Sequence, residues 1–402
     1  MHILLIHQAF AALNEPGGTR HHELARSLAA RGHQVTVIAS RVSYLTGGVV
    51  TPEPSASGDS PGVKVIRVYA YHALHKSFVH RFFAFLSFMA ASFLAGLRIR
   101  RVDLVWGTSP PIFQGLTAWA LARLKRVPFL FEVRDLWPDF AIAVGVLKNP
   151  LLIRLGFWLE RFLYTRADRV MVNSPAYVAH VSRRGARQAE LVSNGADPDM
   201  FDPDAEGTGF RLSNRLEDQF VLLYAGAHGM SNDLEVALEA ARLLHERVPQ
   251  VKLVLLGDGK EKPALQTKAA SMGLDNVLFL PPVAKAAMAE ALAAADACLA
   301  ILKPIEEYKT TYPNKVFDYM AAGRPVVLAI DGVIREVVES AGCGLFAQPG
   351  SPAALAEAVC RLVADKAASR RMGLAGRQYL EAHFSRQASA DRLAHIVEAM
   401  IR

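Results

Sequence analysis

A short apolar run, a glycine-bearing turn and a stretch of helical periodicity follow one another at the start of this chain, and the same order returns after residue 218. His2-Ile3-Leu4-Leu5-Ile6-His7 lacks polar alternation, which reads as a parallel strand covered on both faces. The loop after it holds Pro16-Gly17-Gly18-Thr19. His22 to Arg31 then places Leu24, Ala25, Leu28 and Ala29 at helical spacing, Gly32 ends the helix, and Val35 to Ala39 is the next strand. Such strand–helix–strand units build doubly wound parallel sheets.

Further strands are expected at Val63 to Tyr69, Asp103 to Trp106, Pro128 to Val133, Arg169 to Ser174 and Glu190 to Gly195. Residues 46–62, rich in Gly, Pro and Ser, read as a mobile loop. Residues 202–218 are polar and read as the linker. The pattern restarts at Phe220 to Tyr224 and continues through Val251 to Leu256, Val277 to Leu280, Ala297 to Leu302 and Pro325 to Ala329. The expected class is α/β, with two Rossmann-like doubly wound parallel-sheet domains facing a deep cleft. The expected division is an N-terminal domain at 1–205, a C-terminal domain at 206–380 and a terminal helix at 381–402 that packs back on the first domain. A length of 402 residues agrees with two domains, and 21% charged residues is too ordinary for disorder.

Charge divides the halves. Residues 1–201 hold 23 Lys and Arg against 13 Asp and Glu, a net +10, whereas residues 202–402 hold 22 against 25, a net −3. The first half therefore suits an anionic partner: phosphate, nucleic acid or lipid. Nucleic acid is set aside, because the basic excess lacks an aromatic-interleaved motif. Cys298, Cys343 and Cys360 match neither a disulfide framework nor a zinc signature and suit a reducing cytoplasm. Met1 runs into an apolar strand without a basic region, so no secretory signal is expected.

Chemistry is expected where strands end. Gly17-Gly18 would let backbone N–H groups approach a phosphate at a helix N-terminus, or is simply a turn pair. Arg20 just beyond could pair with a phosphate or an acceptor. Glu132-Val133-Arg134-Asp135-Leu136-Trp137-Pro138-Asp139 clusters charge at a strand's carboxyl end, either as a site or as a salt-bridged loop. Asn173-Ser174 and Asn194-Gly195 follow two further strands as site residues or caps. The most specific segment runs from Tyr312 to Val327. Asn314 reads as a helix cap, which puts N–H dipoles and Lys315 where a diphosphate would sit. Asp318, one turn on, could accept from ribose hydroxyls.

With these residues in place the chain resembles the family 4 glycosyltransferases, retaining enzymes of the GT-B fold. The resemblance rests on the Gly17-Gly18 loop with ARSLAARGHQVTV, on RDLWP, SNGAD and LLGDG, on PNKVFDYMAAGRPVV, and on GVIREVVESAGCGLFAQPGSPAALAEAV. It is nearest to the branch making lipopolysaccharide, capsule or exopolysaccharide from N-acetylated amino sugars. It implies that Gly17 and Gly18 abut the donor diphosphate or acceptor, that Gly226 begins the loop facing the diphosphate, and that Gly257 and Leu280 to Val283 border the base. Asn314 and Lys315 would hold the diphosphate. Asp318 would take the ribose as the second carboxylate of an E-x7-E motif, and Asp331 to Glu336 would lie near the sugar. Lys315 would stabilise the leaving diphosphate, and Asp135, preceded by Arg134, would orient acceptor or sugar. Two departures stand out. Thr310 occupies the position of the first Glu, with Glu306 and Glu307 out of register, and the loop Ala225 to Asn232 carries neither Arg nor Lys, leaving Lys260 or Lys262 to help Lys315.

No metal or other cofactor is expected, since preorganised dipoles and Lys315 could stabilise the leaving group. The expected donor is a UDP-sugar. The expected acceptor is a polyprenyl-diphosphate-linked (undecaprenyl) sugar at the anionic inner leaflet, reached by a cytoplasmic, peripherally bound enzyme. The uncharged run Phe82 to Leu97 is too short to span a bilayer. Phe82, Phe85, Leu86, Met89, Phe93 and Leu97 recur at helical spacing, and Arg98, Arg100 and Arg101 follow. This is an interfacial helix on anionic lipid or a buried helix under the first sheet. The alternatives in function are a non-hydrolysing UDP-sugar 2-epimerase of the same architecture and a catalytically silent sugar-nucleotide-binding scaffold.

Overall fold

The computed structural model describes residues 1–43, 47–49, 61–72 and 78–401; most of the expected 46–62 loop lies outside them. Strands β1 (His2–Ile6), β2 (Gln34–Ser40), β3 (Val63–Val68), β4 (Leu104–Thr108), β5 (Phe129–Val133), β6 (Arg169–Val172) and β7 (Ala189–Leu191) form one parallel sheet in the order β3-β2-β1-β4-β5-β6-β7. Strands β8 (Phe220–Ala225), β9 (Val251–Leu256), β10 (Val277–Leu280), β11 (Ala297–Ile301), β12 (Val326–Ala329) and β13 (Gly344–Phe346) form another, ordered β10-β9-β8-β11-β12-β13. These are two Rossmann-like α/β domains. Their strands are buried on both faces, which is why the sequence shows apolar runs and not alternation. In each sheet the strand order reverses beside the first strand, at β1/β4 and at β8/β11. That is where a doubly wound sheet opens a crevice at its carboxyl edge.

The chain falls into two compact units, Met1–Ser193 with Gln387–Arg402, and Asn194–Arg386. This corrects the expected boundaries. The polar stretch 202–218 is not a free linker but part of the second unit. Arg211 donates to Asp296 at 2.7 Å and to two backbone carbonyls, and a Cβ on Gly207 would strike the backbone of Ala294. The crossing lies instead at Ser193–Asn194. Residues 387–401 belong to the first unit, where Leu393, Ile396 and Val397 are buried against Ile3, Leu5 and Val37. Each such aliphatic side chain contributes about 1.5–3 kcal/mol through burial.

Helices Arg20–Ala30 and Arg386–Ile401 cover one face of the first sheet. Helices Phe78–Arg98, Gln114–Lys125 and Pro150–Arg166 cover the other. Asn149 starts the last of these by accepting from the N–H groups of Leu151 and Leu152, with Pro150 in the first turn, where its missing N–H is harmless.

The run Phe82 to Leu97, expected to be too short for a bilayer, lies within the longer helix Phe78–Arg98, whose stretch His80–Arg98 is long and apolar enough by length and composition to cross one; the helix packs on the sheet through one face. Ala84, Phe88, Ser92 and Gly96 point inward, and a Cβ on Gly96 would overlap the Leu121 side chain. Small residues allow this close approach and leave bulk outside. Phe82 and Leu97 are exposed, while Phe85, Met89 and Phe93 are half-buried. Arg98, Arg100 and Arg101 are exposed.

Candidate active site

In the first unit, polar groups gather at the carboxyl ends of β1, β4 and β5. Glu132, the fourth residue of β5, is fully buried. Arg20 Nε donates to its Oε1 at 3.1 Å and His21 Nε2 to its Oε2 at 2.6 Å. Burial alone would raise this carboxyl, but His21 and Arg20 outweigh it and hold it at about 2. Because Arg20 already balances the charge, burial keeps His21 neutral, near 4. His7 follows β1 and packs on His21 with ring centroids 4.0 Å apart. Its Nδ1 is 3.0 Å from Thr108 Oγ1, and the Arg134 guanidinium lies 3.5 Å from its Nε2. Burial, with His21 and Arg134 nearby, holds the His7 imidazole well below its usual range.

Asp135 accepts from Ser109 Oγ at 3.1 Å, and burial pushes its carboxyl up to about 6 in spite of Arg134. It is ionised at neutral pH, and a modest change in surroundings would move its proton. The structure thus brings Asp135 and Arg134 together with His7, His21 and Glu132, which the sequence reading had not joined to them. Arg20 is placed differently from its expected role. It is 2% exposed and donates to Glu132 and to the carbonyls of Val192 and Ser193, so it ties the first helix to the end of β7. Gly17 and Gly18 are exposed in the loop before that helix, and a Cβ on Gly18 would meet nothing within 4 Å.

In the second unit, the loops after β8 and β9 interlock against the start of the helix Asn314–Ala321. Gly226 and Gly257 have φ near +153° and +152°, and a Cβ on Gly257 would strike Gly226 O. A Cβ on Gly226 would stand 2.8 Å from Lys315 Nζ, so the glycine leaves the ammonium facing bare backbone. That Nζ is buried without a hydrogen-bond partner among the described residues, 3.8 Å from the Tyr224 ring centroid. Burial lowers the ammonium to about 7. Asn314 Oδ1 and both ring nitrogens of His228 are likewise buried without hydrogen-bond partners. Native interiors leave few such atoms, so a group of them calls for an explanation.

Several expectations for this unit change. Asn314 is not the cap, because Pro313 holds that position and no side chain caps the helix. Asp318 carries an ion pair with Lys285, Oδ1 to Nζ 2.5 Å, so the presumed ribose carboxylate is already engaged by a lysine. Lys262 donates to Gly257 O and Leu280 O at 2.7 and 2.8 Å, tying the loop after β9 to the end of β10, so its ammonium is already engaged. Glu336 is exposed in the first turn of the helix Val333–Ser340. His228, Tyr224 and Lys285 were not found from sequence. Only the position of His228 two residues past Gly226 could have pointed to it. Burial, with Lys262 and Lys315 nearby, lowers His228 to about 4 and keeps it neutral.

Among the described residues, Asp139, Glu160 and His180 bring three ligating atoms within 4.8 Å of one another. Arg184 stands 3.8 Å from Asp139 and 3.7 Å from Glu160, and His180 is 2.8 Å from Glu160. The group is therefore an ion-pair network with its positive charge already supplied.

Two family models match the chain. Residues 17–195 match a glycosyl transferase 4-like domain, and residues 219–365 match glycosyl transferases group 1. The chain is 28% identical over 303 residues to a D-inositol 3-phosphate glycosyltransferase of Geodermatophilus obscurus, covering 71% of this chain and 63% of that protein. It is 25% identical over 260 residues to the putative glycosyltransferase EpsD of Bacillus subtilis, covering 63% and 65%. The matches thus span a little under two thirds of these relatives' length. Sucrose-phosphate synthase from Thermosynechococcus elongatus superposes with a TM-score of 0.76 at 21% identity, over 99% of this chain and 98% of that one. Anabaena HepE in complex with UDP and glucose also gives 0.76, at 17% identity, over 99% and 100%. These structures share the GT-B fold.

Proposed function

The chain joins a glycosyl transferase 4-like domain to a glycosyl transferases group 1 domain, and on that premise we propose that it moves a sugar from a UDP-sugar to a lipid-linked sugar with retention of configuration. The observation that carries this reading is Lys315, a buried ammonium with no hydrogen-bond partner among the described residues, which faces the backbone of Gly226 at a helix N-terminus. A diphosphate would give it the charge and acceptors it lacks. As the bond from the anomeric carbon to the diphosphate oxygen breaks, negative charge grows on the leaving group. Lys315 and the first N–H groups of the helix Asn314–Ala321 stabilise it there. The acceptor hydroxyl bonds to the anomeric carbon on the same face and gives its proton to the departing diphosphate. Asp135, ionised and held by Ser109, orients the acceptor. These groups need no metal to act.

The sugar is an N-acetylated hexosamine or a deoxy derivative, and the acceptor an undecaprenyl-diphosphate-linked sugar in surface polysaccharide synthesis. The net +10 of residues 1–201 and the exposed apolar side of the helix Phe78–Arg98 support peripheral binding to the inner face of the cytoplasmic membrane. A screen of UDP-sugars for UDP release, with a polyprenyl-diphosphate sugar as acceptor, tests the reading. UDP and a lengthened glycolipid are the expected products. Epimerised donor, or donor binding without turnover, overturns it. Lys315→Ala should slow transfer by roughly 100-fold or more; unchanged kinetics would remove the lysine from the reaction.

A further inference from the structure

Three helices share one face of the first sheet, so their outward sides point the same way. Phe88, Leu121 and Leu159, one from each, sit in a single core with Leu4, Val105 and Phe131. The helices touch in sequence across the layer. Gly96 lies against Leu121, and Trp119 meets Phe162 with ring centroids 4.9 Å apart. On the outside, Phe83 is 55% exposed, Leu94 54%, Leu124 62%, Leu151 64%, Leu155 50% and Trp158 60%. Apolar exposure gathered on one layer marks an interaction surface, whereas single scattered residues do not.

Charge decides what covers it. Helices Phe78–Arg98 and Gln114–Lys125 contain no acidic residue, and the single one in Pro150–Arg166, Glu160, is fully buried. Arg98, Arg123, Arg126, Arg154, Arg161 and Arg166 are all exposed. Beside Trp158 a pocket of about 320 Å³ is lined by Arg161, Arg183 and Phe157, with Arg184, itself paired with Asp139 and Glu160, at its edge; Arg161 and Arg183 suit it to a phosphate head group. Exposed Leu and Trp between arginines, with no exposed carboxylate on the helices, complement the boundary between anionic head groups and acyl chains.

We propose that the helix Pro150–Arg166 is a second bilayer contact, so that the whole three-helix face seats on anionic lipid with Trp158 in the interface. This rests on the membrane reading above and extends it from one helix to the layer. The tryptophans make it measurable. Of the four, Trp106 is fully buried, Trp119 and Trp137 are half-buried, and Trp158 alone is exposed.

The full chain is mixed with phosphatidylglycerol–phosphatidylcholine vesicles whose acyl chains carry bromine. Tryptophan emission should be quenched, and the quenching should be largely lost in Trp158→Phe. Replacing Leu151 and Leu155 by Ser should weaken vesicle partition about tenfold, leaving transfer to a water-soluble acceptor analogue unchanged. Vesicle binding without quenching of Trp158 overturns this inference and leaves contact through Phe78–Arg98 standing. Failure to bind at low salt overturns both. A concentration-dependent dimer that the double Ser variant dissolves, with no vesicle binding, assigns the face to a second copy and likewise overturns it.

Discussion

Burial sets the Lys315 ammonium at about 7 before any ligand arrives, and this gives donor binding a pH signature. An unfolded lysine titrates near 10.5. Between those values the unfolded chain therefore holds the extra proton, and the free protein gains stability as pH rises. A bound diphosphate restores the charged form, so donor binding above pH 7 takes up a proton. UDP affinity should then fall between pH 7 and 9 with a slope approaching tenfold per unit. Calorimetry in buffers of different ionisation enthalpy would record nearly one proton taken up, and Lys315→Ala should abolish both the uptake and the slope. Lys315 was legible in sequence because Pro-Asn-Lys opens a short helix after a strand. Its missing partner was not, since that depends on Tyr224 and Gly226, some ninety residues earlier. Arg20 and Asp318 show the same limit from the other side. Each was named as a ligand-facing charge, and each is taken up by a group distant in the chain, Glu132 in one case and Lys285 in the other.

The interlocked loops after β8 and β9 turn on Gly257. Its φ of +152° lies outside the range that side chains favour, and an added Cβ would meet Gly226 O. Gly257→Ala should cost about 1–3 kcal/mol of stability in denaturant unfolding. It should also weaken UDP binding, because the displaced loop carries Gly226 with it. A variant that unfolds like the parent and binds UDP equally well would show the contact to be relieved by a small shift. Turns of this kind are visible in sequence as glycines after apolar runs, but which loop each one touches is not. The helix Phe78–Arg98 has a similar lesson. Periodicity grouped its large residues on one side and left open whether lipid or the sheet would meet them, and close packing through Gly96 and Ala84 turns small residues toward the sheet. A helix that is apolar all round has no face written into it, and its neighbour chooses.

Residues 387–401 complete the first unit although they follow the second in the chain. Ending the chain at Arg386 would strip Leu393, Ile396 and Val397 from the core beside β1. The first unit should lose roughly 5 kcal/mol or more, seen as an early unfolding transition, while the second unit melts unchanged. A single unaltered transition would mean that the terminal helix adds little. By itself the sequence determined the α/β class, the repetition of the doubly wound pattern and the gathering of polar residues at strand ends. Strand burial, helix period and glycine turns are local, and they repeat often enough to be read. Tertiary structure alone decided where the units divide, which charges are already paired and which face of an apolar helix is left for a partner. Those outcomes depend on residues far apart in the chain, and burial assigns their charge only after the fold has brought them together.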